Sequence, residues 1–510
     1  MNGDRDTSPL SNHPTERTPL ISSTSHHVET PAAPEPLVDP VVNKLRVRES
    51  GFQHIPVEQL CPDTLTSEMS RVAFVLVVLL SLHQTIHVGP KASFEHLSEH
   101  WRQERRDHDF LEAIRGQLVT HWEAFLLPEP STSDIEHVLW VSFPLNESGR
   151  RARLVDLLAL REAPGDILAH HVVYLSLLRT WTLGPIERET RTSILGRVSR
   201  RFVSVVTPKV LHLLDLLVQV AFLLLLVSYV LRPPTASSEE TSPQPVPGTR
   251  EILLMIYSSS QIFRPIQVTT ISSALVLFSF LSRLPSVPYP DDFSFGTLMT
   301  ALTIHILQLH LPVHPSPVFL LPFQTGLPLT TLVWHGVTRI FLPVLAFFLP
   351  AILIAFFLLS ISLSDVLLHF PFLSATLDPA PLEARTTFVF LLALLLVLMV
   401  CSVIMLVLVY PFLSSSNPPS EWDRYSTSIG LDARRSFIRL VVAYSERRFF
   451  PPPFNLLQFF FIRIPEFIFV RVGAKKVLKW LDGIEGALWS IFVLPVSLVL
   501  GSFFLLDRIP

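Results

Sequence analysis

Apolar positions along residues 206–413 run on without alternating, in stretches that can be measured against the roughly 20 residues a helix needs to cross hydrocarbon. Val210–Leu231 is the first such stretch. Ile266–Ser282 is the second, preceded by a short approach piece, Ile252–Phe263, that Arg264 and Pro265 break. No Asp, Glu, Lys or Arg occurs from Phe293 to Thr338. As helix those 46 residues would extend about 69 Å, enough for two crossings. The prolines between Pro312 and Pro317 divide them into Gly296–Leu311 and Val318–Trp334. Ile340–Ser364, bent by Pro343 and Pro350, is the fifth stretch, and Phe388–Tyr410, 23 uncharged residues, is the sixth. The expected fold is an all-α polytopic membrane protein with six core transmembrane helices.

The flanking segments read differently. Residues 1–45 hold seven prolines from Pro9 to Pro40 among Ser and Thr, and read as a disordered tail. No apolar segment at the N-terminus resembles a signal peptide, so entry into a membrane would rest on an internal span. Residues 46–205 read as a helical cytosolic domain. Its Val72–Leu82 run is only 11 residues long, which predicts a buried core helix. Leu97–Leu126 carries Trp101, Phe110, Ile114, Leu118 and Trp122 at helical spacing, and Ile167–Trp181 reads as another core helix. Residues 414–510 read as membrane-associated helices. Phe454–Val470, interrupted by Arg463 and Glu466, is expected at the interface. Gly486–Leu506, 21 uncharged residues, is an extra apolar helix, either a seventh span or a helix packed on the core without crossing. Arg191, Arg197, Arg200, Arg201 and Lys209 precede the first span, and Arg424, Arg434, Arg435 and Arg439 follow the sixth. The excess of positive charge puts both flanks in the cytosol.

Composition removes whole classes. The 510 residues are 49% hydrophobic and 16% charged, with a mean hydropathy of +0.44, against about 25% charged in an average soluble domain. A net charge of −3 offers no field for nucleic acid, and the two cysteines cannot form a disulfide framework. No phosphate-binding glycine loop, nucleophile elbow, HExxH or CxxC occurs, so neither an enzyme nor a cofactor is expected. His305, His310 and His314 read as isolated polar points, because Pro312 interrupts the row. Asp215 is the one acid inside a run, with Gln219 one turn further on the same face. The pair reads as a polar contact inside the bundle or as a residue reaching back to the interface. Glu16-Arg17-Thr18-Pro19-Leu20-Ile21 matches an acidic dileucine signal, which implies a sorting adaptor as partner.

Two further segments carry the functional expectation. The loop between the last two core spans holds Asp365, Asp378 and Glu383, and acids at that position suit a cation pathway. Beyond the sixth span, Phe437, Leu440, Val441 and Tyr444 share one helical face. Arg434, Arg435, Arg439, Arg447 and Arg448 occupy the rest, and Pro451-Pro452-Pro453-Phe454-Asn455 stops the helix. A basic helix of this kind can lie along a membrane and meet lipid head groups, phosphoinositides among them. The arrangement resembles the transient receptor potential (TRP) channels, in which the last pore helix leads into a helix beneath the membrane followed by Pro-Pro-Pro-x-Asn. Ser316-Pro317-Val318-Phe319-Leu320-Leu321-Pro322 and Trp334-His335-Gly336-Val337-Thr338-Arg339-Ile340-Phe341 extend the similarity to the fungal vacuolar TRP-type calcium channels. The resemblance covers residues 205–510. It implies a homo-tetrameric, calcium-permeable cation channel of the vacuolar membrane. A non-conducting scaffold of the same architecture is the alternative. A secondary transporter is third, and no internal repeat of the kind such proteins carry is visible.

Overall fold

The computed structural model describes residues 36–47, 67–87, 97–146, 151–184, 206–234, 247–264, 269–313, 315–343, 420–472 and 475–506, apart from Asp291 and Arg447, and isolated positions at 61, 65 and between 346 and 404. The fifth and sixth apolar runs therefore lie largely outside the described residues.

The N-terminal part begins with α1 (Val38–Val47), α2 (Glu68–His87), α3 (Leu97–Leu126) and α4 (Thr132–Trp140). A short antiparallel hairpin follows, β1 (Ser142–Pro144) and β2 (Arg151–Arg153), and then α5 (Leu154–Leu158), α6 (Gly165–Ala169) and α7 (His171–Leu183). The apolar run at Val72–Leu82 is the middle of α2. Ala73 to Leu80 are at most 3% exposed, so the helix is covered on every side. A helix apolar all round needs such a jacket, and α1, α3, α4 and α5 provide it. The hairpin departs from the all-helical expectation. It turns Phe143 and Ala152 inward, and the Phe143 ring stands edge-on to Phe74 at 5.2 Å.

Four helices then alternate in direction: α8 (Pro208–Leu231), α9 (Thr249–Ile262), α10 (Thr269–Leu281) and α11 (Phe293–Leu309). Thr207 caps α8 by accepting the Val210 N–H, and Pro208 occupies the first turn, where no N–H is needed. Arg250 at the start of α9 donates to the carbonyls of Ser228 and Arg232 at the end of α8. Arg264 just beyond α9 returns to Asp215 near the start of α8. Ser272 early in α10 meets His305 and Gln308 late in α11, and the Tyr229 hydroxyl donates to the Pro288 carbonyl between α10 and α11. Phe222, Leu226, Val276, Phe280, Leu298 and Met299 fill the centre.

Two sequence expectations are corrected here. The Ile252–Phe263 piece is not an approach to the next helix but a separate member of the bundle, α9, antiparallel to α8. The Val318–Trp334 run is not one helix. It is a short turn, Pro317–Leu320, then a break at Leu321 and Pro322, then α12 (Phe323–Gly336). α12 runs on without a break into a π-helical segment, Val337–Phe341, and it packs along a later helix, α13 (Thr427–Tyr444). A short turn at Glu421–Asp423 precedes α13.

The chain continues with α14 (Asn455–Gln458), α15 (Ile464–Val472), α16 (Lys475–Phe492) and α17 (Leu494–Leu506). The uncharged run at Gly486–Leu506 is divided at Val493, where α16 and α17 meet at 45°. Pro495 sits in the first turn of α17, and α17 packs against α8. Among the described residues two helices, α2 and α8, are long and apolar enough to cross a membrane, or three spans if the bent α16–α17 pair is one. α10 and α11 are shorter apolar helices.

Candidate functional site

Asp215 is fully buried where α8 meets the end of α9 and the end of α13. Its two oxygens receive both terminal nitrogens of Arg264, at 2.9 and 3.0 Å. Oδ2 also accepts the Tyr444 hydroxyl at 2.7 Å. The Arg264 guanidinium lies over the Phe449 ring at 5.4 Å. A buried carboxylate is tolerated when a bidentate guanidinium and a further donor satisfy it. Asp215 is thus a polar contact between helices, buried and paired inside the structure. Burial pushes the Tyr444 phenol well above its ordinary value, and the Asp215 charge adds to the rise.

The polar group extends one turn down α8. His212 Nε2 donates to the Ser316 carbonyl at 3.0 Å, and its ring packs against Tyr444, Phe319 and Trp181. Gln219, expected beside Asp215, is buried nearer His305 and Phe222, and its Nε2 has no partner among the described residues. Asn455, the last residue of the proline motif, donates from Nδ2 to the Ser260 carbonyl at 2.6 Å. The motif therefore pins the chain after α13 to α9.

The arginines of α13 have partners that local sequence did not reveal. Phe437, Leu440, Val441 and Tyr444 do form one buried face, against α7, α8 and α12. Arg434 is also buried, however. It grips both Asp423 oxygens at 3.1 and 3.2 Å, donates to Ser420 at 2.8 Å and lies over Trp422. Gly430 allows this turn to approach, since a Cβ there would sit 2.7 Å from the Trp422 carbonyl. Arg435 donates to Asp432 at 2.7 Å and to the Ala163 carbonyl at 3.0 Å, and Arg439 Nε donates to the Ala159 carbonyl at 2.9 Å. Arg448 bonds to Asp482 and Glu485. Arg434, Arg435, Arg439 and Arg448, named from the sequence as lipid and gating candidates, thus all bond groups of the protein itself. The N-terminal domain covers α13, and the ends of α5 and α6 supply carbonyl acceptors for two of the arginines.

Asp432 also accepts from His335 Nε2 at 3.2 Å, which links α12 to α13. Burial alone would raise its carboxyl, but the His335 and Arg435 hydrogen bonds bring it below the ordinary carboxylate range. Sequence reading missed two clusters, Arg264 and Tyr444 around Asp215, and His335 and Arg435 around Asp432. The available signal was the lone Arg264 between two apolar runs, a natural counter-charge for the lone Asp215.

Asp365, Asp378, Glu383, Glu16, Leu20, Ile21 and Arg447 lie outside the described residues. Among the described residues no group of three or more His, Cys, Asp or Glu side chains is placed to hold a metal ion. His305 meets Ser272, and His310 bonds the Ile306 carbonyl within its own turn. No protein-family model matches the chain, and no curated protein matches its sequence.

Proposed function

We propose that the chain is a TRP-like cation channel, calcium-permeable and tetrameric, that releases ions from the vacuole into the cytosol. In this reading α8–α11 cross the membrane as a peripheral bundle. The runs at 340–364 and 388–410 form the pore pair, and the acids at 365, 378 and 383 lie at its mouth. The N-terminal domain and residues 413–480 are cytosolic, and the dileucine signal at Glu16, Leu20 and Ile21 directs sorting. The outward apolar face of α8, with Leu217, Val220, Leu224 and Leu231 exposed, suits contact with lipid tails.

One observation carries the proposal. Asp215, Arg264 and Tyr444 join the peripheral bundle to the helix that follows the sixth apolar run. A channel whose peripheral helices bias its pore needs a stiff link at this place, and a low-dielectric ion pair with fixed geometry is stiff. A movement of α8 or α9 would reach the pore helix through that link. Phosphoinositide contact by Arg439, which among the described residues bonds only the Ala159 carbonyl, belongs to the same proposal. Arg434, Arg435 and Arg448, held by carboxylates, would contribute to position rather than to lipid binding. Purified protein in a planar bilayer tests the function: unitary cation currents that persist in calcium are expected. Their absence from protein shown to be folded would leave the non-conducting scaffold.

A further inference from the structure

One layer inside the α8–α11 bundle is polar and uncharged. It lies one turn further in than the Asp215–Arg264 pair. Arg264 bonds Asp215, and the Tyr257 and Phe222 rings meet at 6.2 Å. Between those two contacts the antiparallel helices carry Gln219 of α8 past Gln261 and Ser258 of α9. α11 brings His305 to the same level. Its ring stands edge-on to Phe222 at 5.0 Å and lies beside the Gln219 backbone. Ser272 of α10 meets His305 Nδ1 at 3.2 Å and donates to Gln308 Oε1 at 2.9 Å. Beyond Phe222 the bundle is filled by Leu226, Val276, Phe280, Leu298 and Met299.

Four side chains of this layer have unmade hydrogen bonds. Gln219 Nε2, Ser258 Oγ, both amide atoms of Gln261 and His305 Nε2 have no partner among the described residues. None of the four residues is more than 3% exposed. Buried polar groups normally find partners, and each one that does not costs free energy. Five such atoms on three neighbouring helices form a cluster and not an isolated defect.

We propose that this layer binds water, as a short chain of molecules drawn from the Asp215 end of the bundle. The missing partners are of both kinds. The two amide nitrogens donate, Gln261 Oε1 accepts, and the Ser258 hydroxyl and the imidazole nitrogen take either role. A buried water molecule supplies both. An ion fits less well. No charged side chain belongs to the layer, and the Asp215 carboxylate one turn away is matched by Arg264. A cation here would be buried without a counter-charge. Lipid tails offer no hydrogen bonds, so a bundle that crosses a membrane has no other source of partners at this depth. Water-bridged contacts are remade one bond at a time, whereas interlocked apolar side chains move together. The layer would therefore let α9 shift against α8 beside the Asp215 link. The proposal rests on the channel reading for that consequence and for the membrane around the bundle. Water in the layer is read out chemically, without current, so either reading can fail while the other stands.

The experiment places a thiol in each half of the bundle, in the full-length chain reconstituted in lipid vesicles, with Cys61→Ser and Cys401→Ser as background. Ser258→Cys puts the thiol in the layer. Ser279→Cys puts it in the apolar half, at an equally buried serine of α10. The probe is methyl methanethiosulfonate, which is small and uncharged. It reacts with the thiolate, and that form needs water at the sulfur. Ser258→Cys should react at least about tenfold faster than Ser279→Cys. Gln219→Leu with Gln261→Leu removes three of the five unpartnered atoms. Added to Ser258→Cys, the pair should bring its rate down to that of Ser279→Cys. Equal rates in the two single-thiol variants overturn the proposal. So does a fast reaction that the two leucines leave unchanged, because the probe then arrives by another route. If the leucine variant does not fold, the single-thiol comparison decides by itself.

Discussion

The Tyr444 hydroxyl donates to Asp215 Oδ2 at 2.7 Å, across 229 positions of sequence. With Arg264 it closes a cluster in which each member has a different cost of removal. Tyr444→Phe removes one hydrogen bond to a charged acceptor and should cost about 1.5–3 kcal/mol. Asp215→Asn leaves Arg264, its side chain 13% exposed, without its counter-charge, and should cost about 3–5 kcal/mol. Thermal unfolding of the purified protein should rank Asp215→Asn below Tyr444→Phe. Equal midpoints would mean that the ion pair does not hold the helices together.

Gly430 sets a second test, at the turn that receives Arg434. An added methyl would press on the Trp422 backbone, and Gly430→Ala should destabilise by about 1–3 kcal/mol. Gly296 in α11 has open space at the same place, so Gly296→Ala should gain up to about 1 kcal/mol from helix propensity. Opposite shifts in the unfolding midpoint are expected, and an unchanged or raised midpoint for Gly430→Ala would count against the close approach.

The Asp432 carboxyl gives a pH dependence with a definite sign. Its value in the folded chain lies below the ordinary one, so the ionised form stabilises the α12–α13 contact. That contribution is complete above the unfolded value of about 3.9 and is lost as the pH falls through the lowered folded value. Between pH 5 and pH 3 the midpoint of the wild type should therefore fall more steeply than that of Asp432→Asn. Parallel curves would remove Asp432 from the acid response.

If the chain conducts as proposed, Asp365→Asn, Asp378→Asn and Glu383→Gln together should lower divalent conductance in single-channel recordings. Unchanged calcium permeation would take the three acids out of the pore.

Orientation is tested by tags at Ser22 and Ser416. If the chain lies in the vacuolar membrane as proposed, both should be digested by protease added to intact vacuoles. Protection of either one is incompatible with cytosolic flanks, and protection of one alone with an even number of crossings.

Much of the architecture was legible along the chain, because burial of apolar surface is periodic and local. The run at Val210–Leu231 became α8 with its ends nearly unchanged, and the stripe Phe437, Leu440, Val441 and Tyr444 became the buried face of α13. Hydropathy marked Val72–Leu82 as buried, and Ala73 to Leu80 are, but the run lies in a 20-residue helix, long enough to cross a membrane, which its 11 residues did not suggest. Tertiary structure alone decided which apolar pieces stack side by side. Ile252–Phe263 looked too short and Val318–Trp334 looked long enough, yet α9 joined the bundle and α12 lay along α13. Length and composition do not say what a helix will pack against. Charge was the least legible of all. Arg264 finds Asp215 from 49 positions away, and Arg439 finds the Ala159 carbonyl from 280. Sequence shows where a charge stands along a helix. Its partner is set by which distant backbone and side-chain groups folding brings within hydrogen-bonding reach, and no local period encodes that distance.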